Sequence, residues 1–142
     1  MSKKKIAIIA ALGCLLMILM LGGGIGGCAY MLYRATQPVA DTTNHTLKLL
    51  GQGNTHDAYM TMSDGYRAKV DEETFSSRSK AMHLDTFKDS TWNSRNVNNN
   101  DGRVSGNIEA SDGQVEASAT LIYEKSAWKV TDITRKTSLT GP

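Results

Sequence analysis

Apolar and polar positions along this 142-residue chain fall into three successive patterns. Residues 6–33 contain no charged side chain, with Lys3, Lys4 and Lys5 before them and Arg34 after. The second pattern begins at Val39. There Val39, Thr43, Leu47 and Leu50 recur at helical spacing, with Thr46 beside them. Pro38 suits the first turn of that helix, where its missing N–H is no loss, and residues 35–37 read as a connector. Gly51-Gln52-Gly53 interrupts the helix, and Asn54 or Thr55 is placed to cap a short second one through Tyr59, Met60 and Met62. Ser63-Asp64-Gly65 reads as a turn, and residues 66–70 as a brief helical or extended piece. Asp71 is the predicted N-cap of a third helix, with Glu72 and Glu73 in the first turn where negative charge suits the dipole. Phe75, Ser79 and Met82 form its inward stripe.

The period then changes from helical to alternating. Residues 91–97 read as a strand, and Asn98-Asn99-Asn100-Asp101-Gly102 as a hairpin turn ending in Asp-Gly. In the next strand Val104, Gly106, Ile108 and Ala110 alternate with Arg103, Ser105, Asn107 and Glu109. Ser111-Asp112-Gly113 is a second turn. Val115, Ala117, Ala119, Leu121 and Tyr123 share one face of the third strand, Glu124-Lys125-Ser126 turns the chain, and residues 128–133 form the last strand. Alternation of this kind predicts an antiparallel sheet with one face buried. Three helices followed by a four-stranded meander predict an α+β domain, its helices packed on one side of a curved sheet.

Residues 6–33, as a helix, would extend about 42 Å, more than the roughly 30 Å hydrocarbon core of a bilayer. Tyr30 and Tyr33 fall at its far end, where aromatic rings favour the interface. With three lysines before the stretch and Arg34 after it, the positive-inside rule puts the N-terminus in the cytoplasm. The expected arrangement is a single pass of the cell (inner) membrane with a periplasmic or extracellular C-terminal domain. Two alternatives stay open. Ile25-Gly26-Gly27-Cys28 resembles a lipobox, with lipid attached at Cys28, and Gly27-Cys28-Ala29 fits ordinary signal cleavage. Gly22 and Gly26, Gly23 and Gly27 are each four apart, with Ala29 further on, a spacing that lets a second helix approach closely. The segments are thus 1–34 (basic tip and anchor), 35–37 (connector), 38–135 (domain) and 136–142 (tail).

Charge narrows the function classes. All 14 acidic residues follow residue 34, so the polar part is net −1 although the whole chain is +2. No basic run interleaves with aromatics, which argues against nucleic-acid binding. Both cysteines, Cys14 and Cys28, lie in the apolar stretch, leaving the domain without disulfide or zinc–thiolate chemistry. His45, His56 and His83 have no metal-ligand spacing, Asp71, Glu72 and Glu73 fan around a helix, and Gly51-x-Gly53 does not follow a strand. The expectation is no metal and no cofactor. Asn44-His45-Thr46 is a glycosylation sequon.

Two stretches together resemble the nuclear transport factor 2-like superfamily with its cystatin-like cone, especially small exported members. In residues 47–75 the points of likeness are Ala58-Tyr59, Met62-Ser63, Tyr66-Arg67 and the inward Phe75; in residues 118–133 they are Tyr123-Glu124, Trp128-Lys129-Val130 and Ile133. The family often has Asp-Gly in the last turn, where Lys125-Ser126 stands here. The resemblance implies a cone of helices on a curved sheet. It includes isomerase-like and dehydratase-like enzymes whose pocket holds acids, histidines or tyrosines, and it makes Tyr59, Tyr66, His83, Trp92 and Asp132 the candidates for a cavity mouth. Fold does not choose among functions. With no catalytic constellation, the expectation is a non-enzymatic binding or assembly module. Its partners would be the bilayer, other membrane subunits or a second copy through the glycine-rich helix, and a small hydrophobic ligand in the cone. The alternatives are an isomerase-like enzyme using that cavity and a Cys28 lipoprotein.

Overall fold

A computed structural model describes residues 34–141. The apolar stretch 6–33 lies outside them, and with it Gly22, Gly23, Gly26, Gly27, Cys28 and Ala29. Among the described residues no helix is long and apolar enough to cross a membrane.

The first helix, α1, covers 34–51. Residues 35–37, expected as a connector, are helical: Pro38 takes helical φ readily and gives up one hydrogen bond near the start of the described helix. Its stripe is as the spacing implies. Val39, Thr43, Thr46 and Leu47 are wholly buried and Leu50 almost so. The two buried threonines satisfy their hydroxyls on the helix's own backbone, Thr43 donating to the Val39 carbonyl and Thr46 to that of Thr42.

Helix α2, Thr55–Met60, is short, and Asn54 precedes it without a side-chain cap. The expected turn at 63–65 is instead the start of a further helix, α3, Asp64–Lys69. Ser63 is its N-cap, and its hydroxyl accepts from the Tyr66 N–H. Ser-Asp-Gly is turn-like in composition, but a serine acceptor followed by an acid equally begins a helix. Asp71 caps α4, Glu72–Ala81, accepting from the Thr74 N–H at 2.7 Å. The described residues therefore hold four helices where three were expected, followed by a single 3₁₀ turn at Leu84–Thr86.

The sheet is an antiparallel meander whose spatial order is its chain order. Its long strands are β1 Asp89–Asn98, β2 Asp101–Ala110, β3 Gly113–Glu124 and β4 Ala127–Arg135; a two-residue β5, Thr137–Ser138, closes the edge. Asp101 and Gly102, expected in the first turn, are already paired in β2, with Ile122 and Leu121 opposite. Asn99, with φ 55°, turns the chain instead. Gly102 is needed for space: a Cβ there would come within 3.0 Å of both Trp128 and Val39. In the last turn Lys125 and Ser126 both have positive φ, as a two-residue type I′ hairpin requires, so the missing Asp-Gly leaves the turn type unchanged. Lys125 is held there by an ion pair with Asp64 at 2.5 Å.

Two bulges shape the sheet. Asn93 is the extra residue opposite β2, between the pairs Trp92–Gly106 and Ser94–Ser105. Thr131 is the extra residue opposite β3, between Leu121–Val130 and Thr120–Asp132. The second bulge shifts the alternation so that Val130, Ile133 and Arg135 are all buried. Residues 136–141, expected as a tail, include β5 and the wholly buried Leu139. The wedge between helices and sheet is filled by Leu47, Leu50, Met62, Phe75, Met82, Leu84, Ile108, Leu121, Ile133 and Leu139.

Candidate functional site

The five cavity candidates sit on different elements and do different work. Tyr59, on α2, donates its hydroxyl to the Val70 carbonyl at 2.7 Å and lays its ring on Phe75, with centroids 5.5 Å apart. It ties α2 to the joint between α3 and α4. Tyr66, buried on α3, meets Phe75 edge-on from another side and donates to the Leu139 carbonyl at 3.0 Å. Arg78 donates to the same carbonyl at 2.7 Å, so two helices hold the last residues of the domain. Trp92, half-buried on β1, donates its indole N–H to Asn44 on α1 at 2.8 Å, and Ser90 donates to the same Asn44 oxygen. Asn44 of the sequon is thus a structural acceptor, and Thr46 of the sequon is buried against Thr61, their hydroxyl oxygens 2.6 Å apart.

Asp132 faces outward on β4. It accepts from the Ser138 hydroxyl at 2.6 Å and the Thr140 N–H at 3.2 Å, binding the chain end to β4. His83 is exposed, with φ 57°, and heads the 3₁₀ turn. Tyr59 and Tyr66 are brought together through Phe75; His83 and Trp92 stand elsewhere. Of five well-formed clefts among the described residues, one has Tyr66 in its lining and none has two of the five candidates.

The Tyr66 cleft has a volume of about 360 Å³ and opens between α3 and the ends of β3 and β4. Val70, Ile122 and the Tyr66 ring give it an apolar floor, with Lys69 and Glu124 in its lining. Glu124 accepts from the Asp64 N–H at 2.9 Å, which orients its carboxylate. Burial, helped by the nearby Asp132 charge and opposed by Arg78, pushes the Tyr66 hydroxyl up to about 12. Tyr66 therefore stays protonated near neutrality and acts as a donor to a backbone carbonyl. A general base needs a pKa near the working pH and a free lone pair aimed at substrate, and Tyr66 meets neither condition. Among the described residues no group of three His, Cys, Asp or Glu side chains is placed to hold a metal ion.

Sequence reasoning missed the most deeply buried charge. Arg135 is wholly buried, and its guanidinium grips Asp112 two-pronged, at 2.6 and 3.0 Å, while also donating to the Met82 and Gly113 carbonyls. Lys136 joins Asp112 from outside at 2.7 Å. Arg135 first and Lys136 second hold the Asp112 carboxyl well below the usual carboxylate range. The cluster knots the β2–β3 turn, the end of β4 and the C-terminus of α4, where a cation suits the helix dipole. Its signal was the spacing itself: if Ile133 faces inward, Arg135 two residues on must face inward too.

No protein-family profile matches the chain, and no curated protein matches it in sequence. Among solved structures the chain is similar to a Campylobacter jejuni protein proposed to be an NTF2-like transpeptidase, at 19% identity and a TM-score of 0.47, over 65% of this chain and 95% of that one. It is also similar to a phospholipid-binding protein of Ralstonia solanacearum solved with a phospholipid, at 13% identity and a TM-score of 0.41, over 75% of this chain and 80% of that one. Likenesses this distant carry no argument about what the chain does.

Proposed function

We propose that the chain is a non-enzymatic binding or assembly module of the nuclear transport factor 2-like type, exported and held at the membrane by residues 6–33. One observation carries the non-catalytic reading. Four of the five candidate groups for a cone active site are committed to the fold, Tyr59 to Val70, Tyr66 to Leu139, Trp92 to Asn44 and Asp132 to the chain end, and the fifth, His83, stands exposed away from them. A catalytic group needs unsatisfied hydrogen-bonding capacity aimed at substrate, and these four spend theirs on backbone and side-chain partners. Membrane attachment is supported by the uncharged length of 6–33 and the lysines before it, and assembly by the paired glycines.

The test is the native mass of the full-length protein extracted from its own membrane in mild detergent. An intact, non-lipidated chain travelling with itself or with other subunits is the expected result. A shorter, lipidated chain beginning at Cys28 and travelling alone overturns the anchor. The Tyr66 cleft favours a second reading, a small-molecule binder with an apolar floor between Lys69 and Glu124. Saturable binding of a small apolar molecule, lost in Ile122→Asp, would establish that reading instead.

A further inference from the structure

One end of the sheet carries aromatic side chains of a different kind from the rest. Tyr123 and Trp128 are directly paired across β3 and β4, with ring centroids 5.4 Å apart at 59°. Tyr123 is 43% exposed and Met60 44%, the two exposed large apolar side chains among the described residues. The segment after α2 pairs in parallel with β4 at Met62 and Val130, which brings the end of α2 to the edge of β4, and Trp128 pairs with Tyr123. Lys129 donates to the Met60 carbonyl at 3.3 Å, fastening this row across the sheet edge. The Tyr123 hydroxyl and the Trp128 indole N–H have no hydrogen-bond partner among the described residues. Tyr59, Tyr66 and Trp92 each have one.

The same end is where the chain arrives from the apolar stretch. Trp128 and Val39 both lie against Gly102, within 3.0 Å of where a Cβ would be. Val39 is six residues after Tyr33, and six residues reach no further than about 20 Å even when fully extended. Arg67 and Lys125 are paired with Asp64, and Glu124 accepts from the Asp64 N–H. The surface between them offers an apolar body and two unsatisfied polar tips. Amphipathic rings with a polar tip favour the headgroup layer of a bilayer, where one end is apolar and the other wet.

We infer that Tyr123, Trp128 and Met60 form a seat by which the domain rests on the lipid headgroup layer next to its own anchor. This rests on the anchor reading of residues 6–33. The seat fixes the domain's tilt and turns the opposite end of the sheet, with its Ser111–Asp112 turn, away from the membrane. Partitioning of the two aromatic rings supplies the contact.

The chain has two tryptophans, which makes the test direct. Full-length protein is reconstituted into phosphatidylcholine vesicles with bromine on the acyl carbons nearest the headgroups, and tryptophan emission is compared with that in unbrominated vesicles. Wild-type emission is expected to fall by roughly half, Trp128→Phe emission by less than about a tenth, with little change when anionic lipid or salt is added. Tyr123→Trp, which puts a third indole in the row, is expected to increase the quenched fraction and covers the case in which Trp128→Phe folds poorly. Carbonate washing of the same vesicles separates the two ideas. A chain that stays in the vesicles with unquenched Trp128 overturns the seat alone. A chain that washes off overturns both the anchor and the seat.

Discussion

The two ends of the sheet are held by different physics. At the Ser111–Asp112 end, a wholly buried arginine binds a carboxylate two-pronged and satisfies two backbone carbonyls. At the Lys125–Ser126 end, an exposed ion pair of Lys125 with Asp64 lies beside apolar packing of Trp128 and Val39 on Gly102, and the aromatic tips are left without partners. Directional bonds between desolvated groups hold one geometry and fail abruptly when one partner is lost. Ring contacts at a half-exposed rim tolerate change and leave a surface able to meet something else. The lesson is that an aromatic residue is read by its polar tip: bonded, it is a staple, and unbonded at a surface, it is an offer.

The comparison breaks most visibly at Arg135. Arg135→Ala leaves Asp112 with Lys136 alone and strips the Met82 and Gly113 carbonyls of a donor, so we expect a loss of about 3–5 kcal/mol. Urea unfolding of the detergent-solubilised chain measures it; a loss under about 1 kcal/mol means the cluster is not the fastening described. Acid tests the same end more gently. Asp112 titrates below the ordinary range when folded and within it when unfolded. Its contribution is therefore complete above about pH 4 and disappears as pH falls through the depressed folded value. The midpoint in urea should drop across that window in the wild type and drop less in Arg135→Ala.

Smaller effects sharpen the contrast among aromatics. Tyr66→Phe removes one of two donors to the buried Leu139 carbonyl and should cost about 1–2 kcal/mol. Its titration runs the other way from that of Asp112. The hydroxyl is raised from 10.0 to about 12, so its contribution is full below pH 10.0 and is lost as pH rises through about 12. Absorbance titration of the phenolate should show that late step in wild type and not in Tyr66→Phe. Trp92→Phe leaves Asn44 with Ser90 and should cost about 1 kcal/mol. Tyr123→Phe should change stability in detergent by less than about 0.5 kcal/mol, since its hydroxyl has no partner to lose. A larger loss there would put Tyr123 with the staples and weaken the case for the seat.

Much of the architecture is legible in the residues. The inward faces of α1, β2 and β3 follow from simple periodicity, as does the N-cap at Asp71. What periodicity misreads is local chemistry with two outcomes. Ser63-Asp64-Gly65 suits a turn and a helix start alike, and pairing of Ser63 and Val130 along the edge of β4 favours the helix start. Asp101-Gly102 suits a hairpin tip, but the sheet needs Gly102 where Trp128 and Val39 converge. The candidate cavity residues were identifiable by type and not by role, because the fold chooses their partners: Leu139 for Tyr66 is 73 positions away and Asn44 for Trp92 is 48. Arg135 follows from an inward Ile133 two residues before it, whereas alternation counted from Val130 across the Thr131 bulge points it outward.

The meander also sets the order in which the domain can form. Strand order equals chain order, and the three long hairpins each close over a two-residue turn, so the sheet can zip up from neighbour to neighbour with little loop closure at any step. Helix α1 is the exception. It is made first, yet Val39 meets Trp128 only when nearly the whole domain has been delivered. On a chain that emerges N-terminus first, the apolar stripe of α1 meets β1 and β2 before β4, and its cover is complete only when β4 arrives. Folding speed should therefore depend less on the hairpins than on how that stripe is kept from straying in the interval.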